Sequence, residues 1–212
     1  MRKAISIFYL ATLLAACANS QQQSLSTFRL VGAPCEGCEA IFEYGNKKLD
    51  ATDTLPDFSA GGPQLKLTGT IYQPDGKTPA PGVILYIYHT NTSGIYPTQG
   101  NETGWAQRHG YLRGWIKTGS DGKYTFYTSR PGQYPSRTDP AHIHATIQEP
   151  DGRYYYLHDY YFSDDPLLSK EEASKTGLRG GDKRVLTLQP ERGLLVGKRD
   201  IVLGKNVPGY TE

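Results

Sequence analysis

Leu65-Lys66-Leu67-Thr68-Gly69-Thr70-Ile71-Tyr72 alternates apolar and polar residues with a period of two. Successive side chains of a strand point to opposite faces, so this pattern predicts a strand with one face on a core and one toward water. Working outward, residues 83–88 form a continuous run of branched and aromatic residues, suited to a strand buried on both sides. Further short β-type runs follow at 115–118, 124–128, 141–147, 154–157, 185–188 and 200–203. Asp75-Gly76 follows the first strand, and Asp121-Gly122 and Asp151-Gly152 each lie between two apolar runs. Those last two predict hairpins, because glycine accepts the positive φ of a tight turn. The one helical candidate is short, at 167–175. Many short strands separated by turn signals predict an all-β, antiparallel β-sandwich.

The composition agrees. A chain of 212 residues with Gly 24 and Pro 14 is turn-rich, long enough for one sizeable core and too short for two full domains. Charged residues make up 21%, which is globular rather than disordered. A formal charge of +2 excludes a nucleic-acid binder that works by bulk charge. One methionine and no heptads exclude a helical bundle.

Residues 1–16 read as a secretory signal: Arg2 and Lys3, then an apolar stretch too short to span a bilayer as a helix. Its end, Leu14-Ala15-Ala16-Cys17, resembles the bacterial lipobox, which implies lipidation of Cys17 and an extracytoplasmic, membrane-anchored location. Acyl chains would have to provide the anchoring, because loss of Arg2 and Lys3 leaves a body with no net charge. Residues 17–62 then read as the lipidated cysteine, a polar tether and an N-terminal arm, and 63–212 as the sandwich. In the arm, Cys35-Glu36-Gly37-Cys38 is open to a local disulfide, a redox or half-metal site, or free thiols. An oxidising compartment favours the disulfide.

The chemistry concentrates in Tyr134-Pro135-Ser136-Arg137-Thr138-Asp139-Pro140-Ala141-His142-Ile143-His144. On a strand, His142 and His144 share a face with Cα atoms ~6.6 Å apart, a spacing that lets two imidazoles converge on one ion. The same spacing also suits two solvent-facing histidines. His89 and His109 read as ordinary loop or strand-end residues; His158 lies closer to this stretch in sequence order and is assigned no role. Trp105 is a candidate pocket wall, and the tyrosines at 154–156 and 160–161 read as sheet faces or an aromatic wall.

This stretch resembles the intradiol ring-cleavage dioxygenases, non-haem Fe(III) enzymes that cut catechols between their hydroxyls. Tyr134-Pro135 and Pro140-Ala141-His142-Ile143-His144 match the family's second tyrosine ligand and its histidine pair. The segment Tyr86-Ile87-Tyr88-His89-Thr90-Asn91-Thr92-Ser93-Gly94-Ile95-Tyr96 is similar to the one that ends in the first tyrosine ligand. The resemblance spans roughly residues 65–203. It implies Fe(III) held by Tyr96, Tyr134, His142 and His144, with Tyr134 and His144 axial. It also implies a catechol-like diol and dioxygen as substrates, and a Tyr134 that leaves the iron and takes a substrate proton.

Two positions depart from the family pattern. Asp139 stands where an arginine commonly stabilises the developing carbanion, and Asp159 stands where a glutamine is usual. The nearest candidates for the missing charge are Arg137 and Arg130, with Arg113 farther off. The segment from residue 67 through Phe126 also resembles transthyretin-like and carboxypeptidase-regulatory sandwiches. That likeness implies instead a non-enzymatic surface binding module.

Overall fold

The structure, a computed structural model, describes residues 28–60 and 62–211. Cys17 and the signal segment lie outside the described residues. Twelve strands and two helical turns follow one another as β1 (Arg29–Leu30), β2 (Thr52–Thr54), β3 (Gln64–Tyr72), β4 (Ile84–His89), α1 (Ala106–His109), β5 (Arg113–Lys117), β6 (Lys123–Ser129), β7 (His142–Gln148), β8 (Arg153–Phe162), α2 (Lys170–Ser174), β9 (Val185–Leu186), β10 (Gln189–Glu191), β11 (Leu194–Lys198) and β12 (Ile201–Val202). A 3-10 turn, Cys38–Phe42, precedes β2. None of these helical segments is long and apolar enough to cross a membrane.

The strands form two sheets. The first runs β1-β8-β7-β4-β5 with β9 also on β8; the second runs β10-β11-β3-β6-β2 with β12 also on β3. The central pairs β4–β5, β4–β7, β7–β8 and β3–β6 are antiparallel, as the sequence predicts. Parallel pairings of β1, β2, β9, β11 and β12 complete the sheets. Residues 29–54, read from the sequence as an arm, thus contribute two of these strands.

The core lies between the sheets. Leu65, Leu67 and Ile71 of β3 meet Leu85 and Ile87 of β4 and Ile143 and Ile147 of β7, all fully buried. Burying each such side chain contributes about 1.5–3 kcal/mol. β4 is buried on its other face too, because the 3-10 turn packs Ala40 and Ile41 against Ile84, Tyr86 and Trp115. That second layer explains the unbroken apolar run.

Asp151-Gly152 closes the β7–β8 hairpin as expected, with Gly152 at φ 89°. Asp121-Gly122 does not make a hairpin. β5 and β6 belong to different sheets, and the turn carries the chain across the sandwich: Gly122 accepts at its carbonyl from Ile71 N (2.8 Å). A positive-φ glycine permits the reversal; the partner was chosen by β3, which offers β6 a longer apolar ladder.

One irregularity matters for the site. Ile143 pairs with Tyr160 but Ala145 with Leu157, so β8 carries an extra residue opposite His144. Such a bulge re-aims side chains. Leu157 and Tyr160 both face the core, leaving His158 and Asp159 together on the outer face.

Candidate metal centre

The outer face of the first sheet carries the site. Alternation along β7 turns Ile143, Ala145 and Ile147 inward and His142 and His144 outward. Tyr96 comes from the loop after β4, and Tyr134 from the loop before β7. These two loops are laced together. Gly132 N donates to Asn91 O (2.9 Å), and Thr90 Oγ1 donates to Gly132 O (2.9 Å). At Gly94 (φ +76°) an added Cβ would lie 1.8 Å from Gln133 O, so only glycine permits this crossing. Buried Asp165 holds the second loop from below, accepting from Gln133 Nε2 (2.6 Å) and Ala141 N (3.0 Å).

All four residues matched to the ligand set come together. Tyr96 Oη lies 2.7 Å from Tyr134 Oη and 2.8 Å from His144 Nε2. Tyr134 Oη lies 3.1 Å from His142 Nε2 and 3.5 Å from His144 Nε2, and the two Nε2 atoms are 3.2 Å apart. Donor atoms bonded to one ion at ~2.0–2.1 Å stand at about this separation from one another.

Proton bookkeeping tests the fit. His142 Nδ1 donates to Pro140 O (2.7 Å), and His144 Nδ1 donates to Asp159 Oδ1 (2.9 Å). Both Nε2 atoms therefore carry lone pairs toward the centre. Only two phenol protons are available for five short contacts among four acceptor atoms. A cation at the middle resolves that repulsion. Phenol oxygens and imidazole nitrogens form a hard-to-borderline donor set suited to iron or zinc. Burial and, after it, its hydrogen bond with Tyr134 push the Tyr96 phenol far above the usual range. Burial raises Tyr134 too. Burial and then His144 hold His142 below the usual histidine range. His142 is thus kept neutral for ligation, and the tyrosines would ionise only against a strong positive charge.

Asp159, read from the sequence as a departure from the family's glutamine, has a partner that reading did not foresee. It accepts the Nδ1 proton of His144, the arrangement by which a carboxylate orients a metal-binding imidazole. His142, His144 and Asp159 offer ligand atoms within 4.8 Å of one another. Burial opposes ionisation of Asp159, but attraction to and the hydrogen bond from His144 outweigh it and hold the carboxyl below the usual range. Only its position two residues after Leu157 was readable; the bulge that turns it outward was not.

The candidate arginines are not brought to this cluster. Arg130 forms a two-pronged pair with Asp164 (2.7 and 2.8 Å) and covers the Phe162 ring. Arg137 is exposed at φ 54°, in a turn whose backbone closes on Tyr134 O. Arg113 is engaged by Glu43 (2.6 Å) and Trp115. Asp139 is exposed, with its carboxylate on Thr138.

A pocket of about 210 Å³ opens over Tyr96, Tyr134 and His144. Its wall is a stack of rings: Tyr88 lies between His144 (4.5 Å) and His109 (3.7 Å), and His109 lies against Trp105 (5.4 Å). His109 is therefore no ordinary strand-end residue. It is buried, pushed down to about 4 by burial, and bonded through Nδ1 to Tyr86 Oη (2.8 Å). Glu36 and Arg108 form the rim. Cys35 and Cys38 are joined in a disulfide, which holds the Glu36 loop beside a second opening of about 300 Å³ that reaches His144 and Asp159.

Comparisons with known proteins bear on the family and the fold. A family model described as Dioxygenase matches residues 42–191. Catechol 1,2-dioxygenase 1 of Acinetobacter lwoffii is 32% identical over 168 residues, covering 71% of this chain and 50% of that protein. The chain thus spans about half the length of that curated relative. Among solved structures, the dioxygenase domain of a dioxygenase carbohydrate-binding fusion from Streptomyces sp. SirexAA-E superposes with a TM-score of 0.56 at 26% identity, over 76% of this chain and 94% of that one. An intradiol ring-cleavage dioxygenase from Tetranychus urticae shares the fold with a TM-score of 0.53 at 22% identity, over 75% of this chain and 88% of that one.

Proposed function

Because this chain belongs to the intradiol ring-cleavage dioxygenase family, we propose that it is an Fe(III)-dependent oxidoreductase that cleaves a catechol-like aromatic diol with dioxygen. The observation that carries this reading is the convergence of Tyr96, Tyr134, His142 and His144 on one point, with more lone pairs than protons among them. Bound there, Fe(III) supplies a Lewis-acidic centre that a diol can chelate and that activates it toward dioxygen.

The protein's own residues have distinct tasks. Tyr96 and Tyr134 bring two negative charges against a trivalent ion. His142 and His144 bring neutral nitrogens, fixed in tautomer by Pro140 O and Asp159. Tyr134 is the less deeply buried of the two tyrosines, and its Oη would be the base that accepts a proton from an entering diol hydroxyl. The wall of Tyr88, His109 and Trp105 orients a flat ring and excludes water from the donor atoms. A cavity of ~150 Å³ already accepts a benzene ring, so this pocket suits a single-ring diol. The signal segment and the Cys17 lipobox support an envelope location with a lipid anchor.

The test is metal content and colour. Protein made aerobically and never exposed to chelator should hold one iron per chain and absorb in the visible through tyrosinate-to-iron charge transfer. Tyr134→Phe should shift that band and weaken iron retention. Oxygen uptake with a panel of catechols then tests ring cleavage. Colourless, iron-free protein would end the reading; iron without uptake on any diol would leave metal binding alone.

A further inference from the structure

We infer that Glu36 is a specificity-determining residue: it masks Arg108 at the pocket rim and so biases the site toward ring diols without an anionic substituent. This rests on the proposed diol-cleaving function and adds the substrate class.

The pocket that holds Tyr96, Tyr134 and His144 has one cationic side chain on its lining, Arg108, and one anionic one, Glu36. The two are ion-paired across the mouth. Arg108 projects from α1, with its guanidinium 5.9 Å from the Trp105 ring centroid. Glu36 comes from the opposite side, inside the four-residue ring closed by Cys35 and Cys38, whose Cα atoms are 5.7 Å apart. The loop cannot retreat from the pocket without losing its packing. An added Cβ on Gly37 (φ +84°) would lie 2.6 Å from His109 Nε2, so the loop backbone rests directly on the ring wall.

Charge decides what such a rim admits. A neutral single-ring diol enters with the pair intact. A diol carrying a carboxylate meets Glu36 as a like charge and reaches Arg108 only by displacing it. The side chains of Arg108 and Glu36 are 64% and 69% exposed, so their pair is a weak, exchangeable one and the bias is one of several-fold rather than absolute. Removing the negative partner converts the rim from neutral to cationic. The free arginine is then a two-pronged carboxylate receptor.

The experiment is anaerobic calorimetric titration of the iron-loaded full chain with catechol and with 3,4-dihydroxybenzoate. The readout is the ratio of the two affinities. Glu36→Gln should shift the ratio toward the carboxylated diol by about three- to tenfold, the size of a partly screened charge contact. Glu36→Gln combined with Arg108→Gln should abolish that shift, which a merely structural role for Glu36 would not produce. A ratio unmoved by Glu36→Gln, or one that moves equally in the double variant, would overturn the assignment. If the unsubstituted protein bound neither diol, the proposed function itself would fall, and this assignment with it.

Discussion

At the scale of single residues, the site works through what each proton is committed to. His142 and His144 spend their Nδ1 protons on Pro140 O and Asp159, and that leaves both Nε2 lone pairs for an ion. Among the described residues Asp159 is the charged partner in this outer ring of contacts, and it fixes the tautomer and orientation of His144. Asp159→Asn keeps the shape and removes the charge. We expect it to lower metal affinity about 10–100-fold with the fold intact, the usual cost of losing such a partner. Competition with a coloured chelator measures this, with circular dichroism as the control. Unchanged affinity would mean that Asp159 only fills space. The same residue was read from the sequence as a departure from the glutamine usual in the family. Its negative charge beside the centre favours a bound cation.

At the scale of elements, two loops and one bulge assemble the donors. The loop after β4 and the loop before β7 cross at Gly94 and Gly132, and this crossing sets the distance between Tyr96 and Tyr134. Gly94→Ala places a methyl group against Gln133 O and asks for φ near +76° from a residue that resists it. We expect a stability loss of about 1–3 kcal/mol and a larger proportional loss of metal binding, because the loops must separate. Urea denaturation beside metal stoichiometry checks this; full metal binding in the variant would show that the crossing is not needed. The β8 bulge performs the corresponding task for Asp159. Neither feature was legible in the sequence. Gly94 was quoted there only as part of a matching segment, and a bulge leaves no period of its own to read.

At the scale of the whole molecule, the two sheets bury a histidine that belongs to no site. His89 is fully buried, donates from Nδ1 to Thr90 O (2.7 Å) and accepts at Nε2 from Thr128 Oγ1 (2.7 Å) across the sandwich. Burial pushes it down to about 4. The unfolded imidazole takes its proton near 6.5 while the folded one resists until about 4. In that window the unfolded chain binds more protons, so stability falls as pH drops. The loss attributable to His89 is of order 3 kcal/mol across the window. Denaturant unfolding at pH 7, 5.5 and 4 should show it, and His89→Gln should flatten the profile; a flat profile in the unsubstituted protein would contradict it. The sequence by itself determined the strand pattern, the antiparallel centre of the sandwich and the shared face of His142 and His144. Those depend on local alternation and on burial, which each segment carries within itself. The tertiary structure alone decided that Asp121-Gly122 crosses between sheets, that Arg130 and Arg137 stay away from the donors, that Asp159 reaches His144, and that Glu36 meets Arg108. These outcomes depend on turns, a strand bulge and packing between segments, which no local alternation pattern encodes.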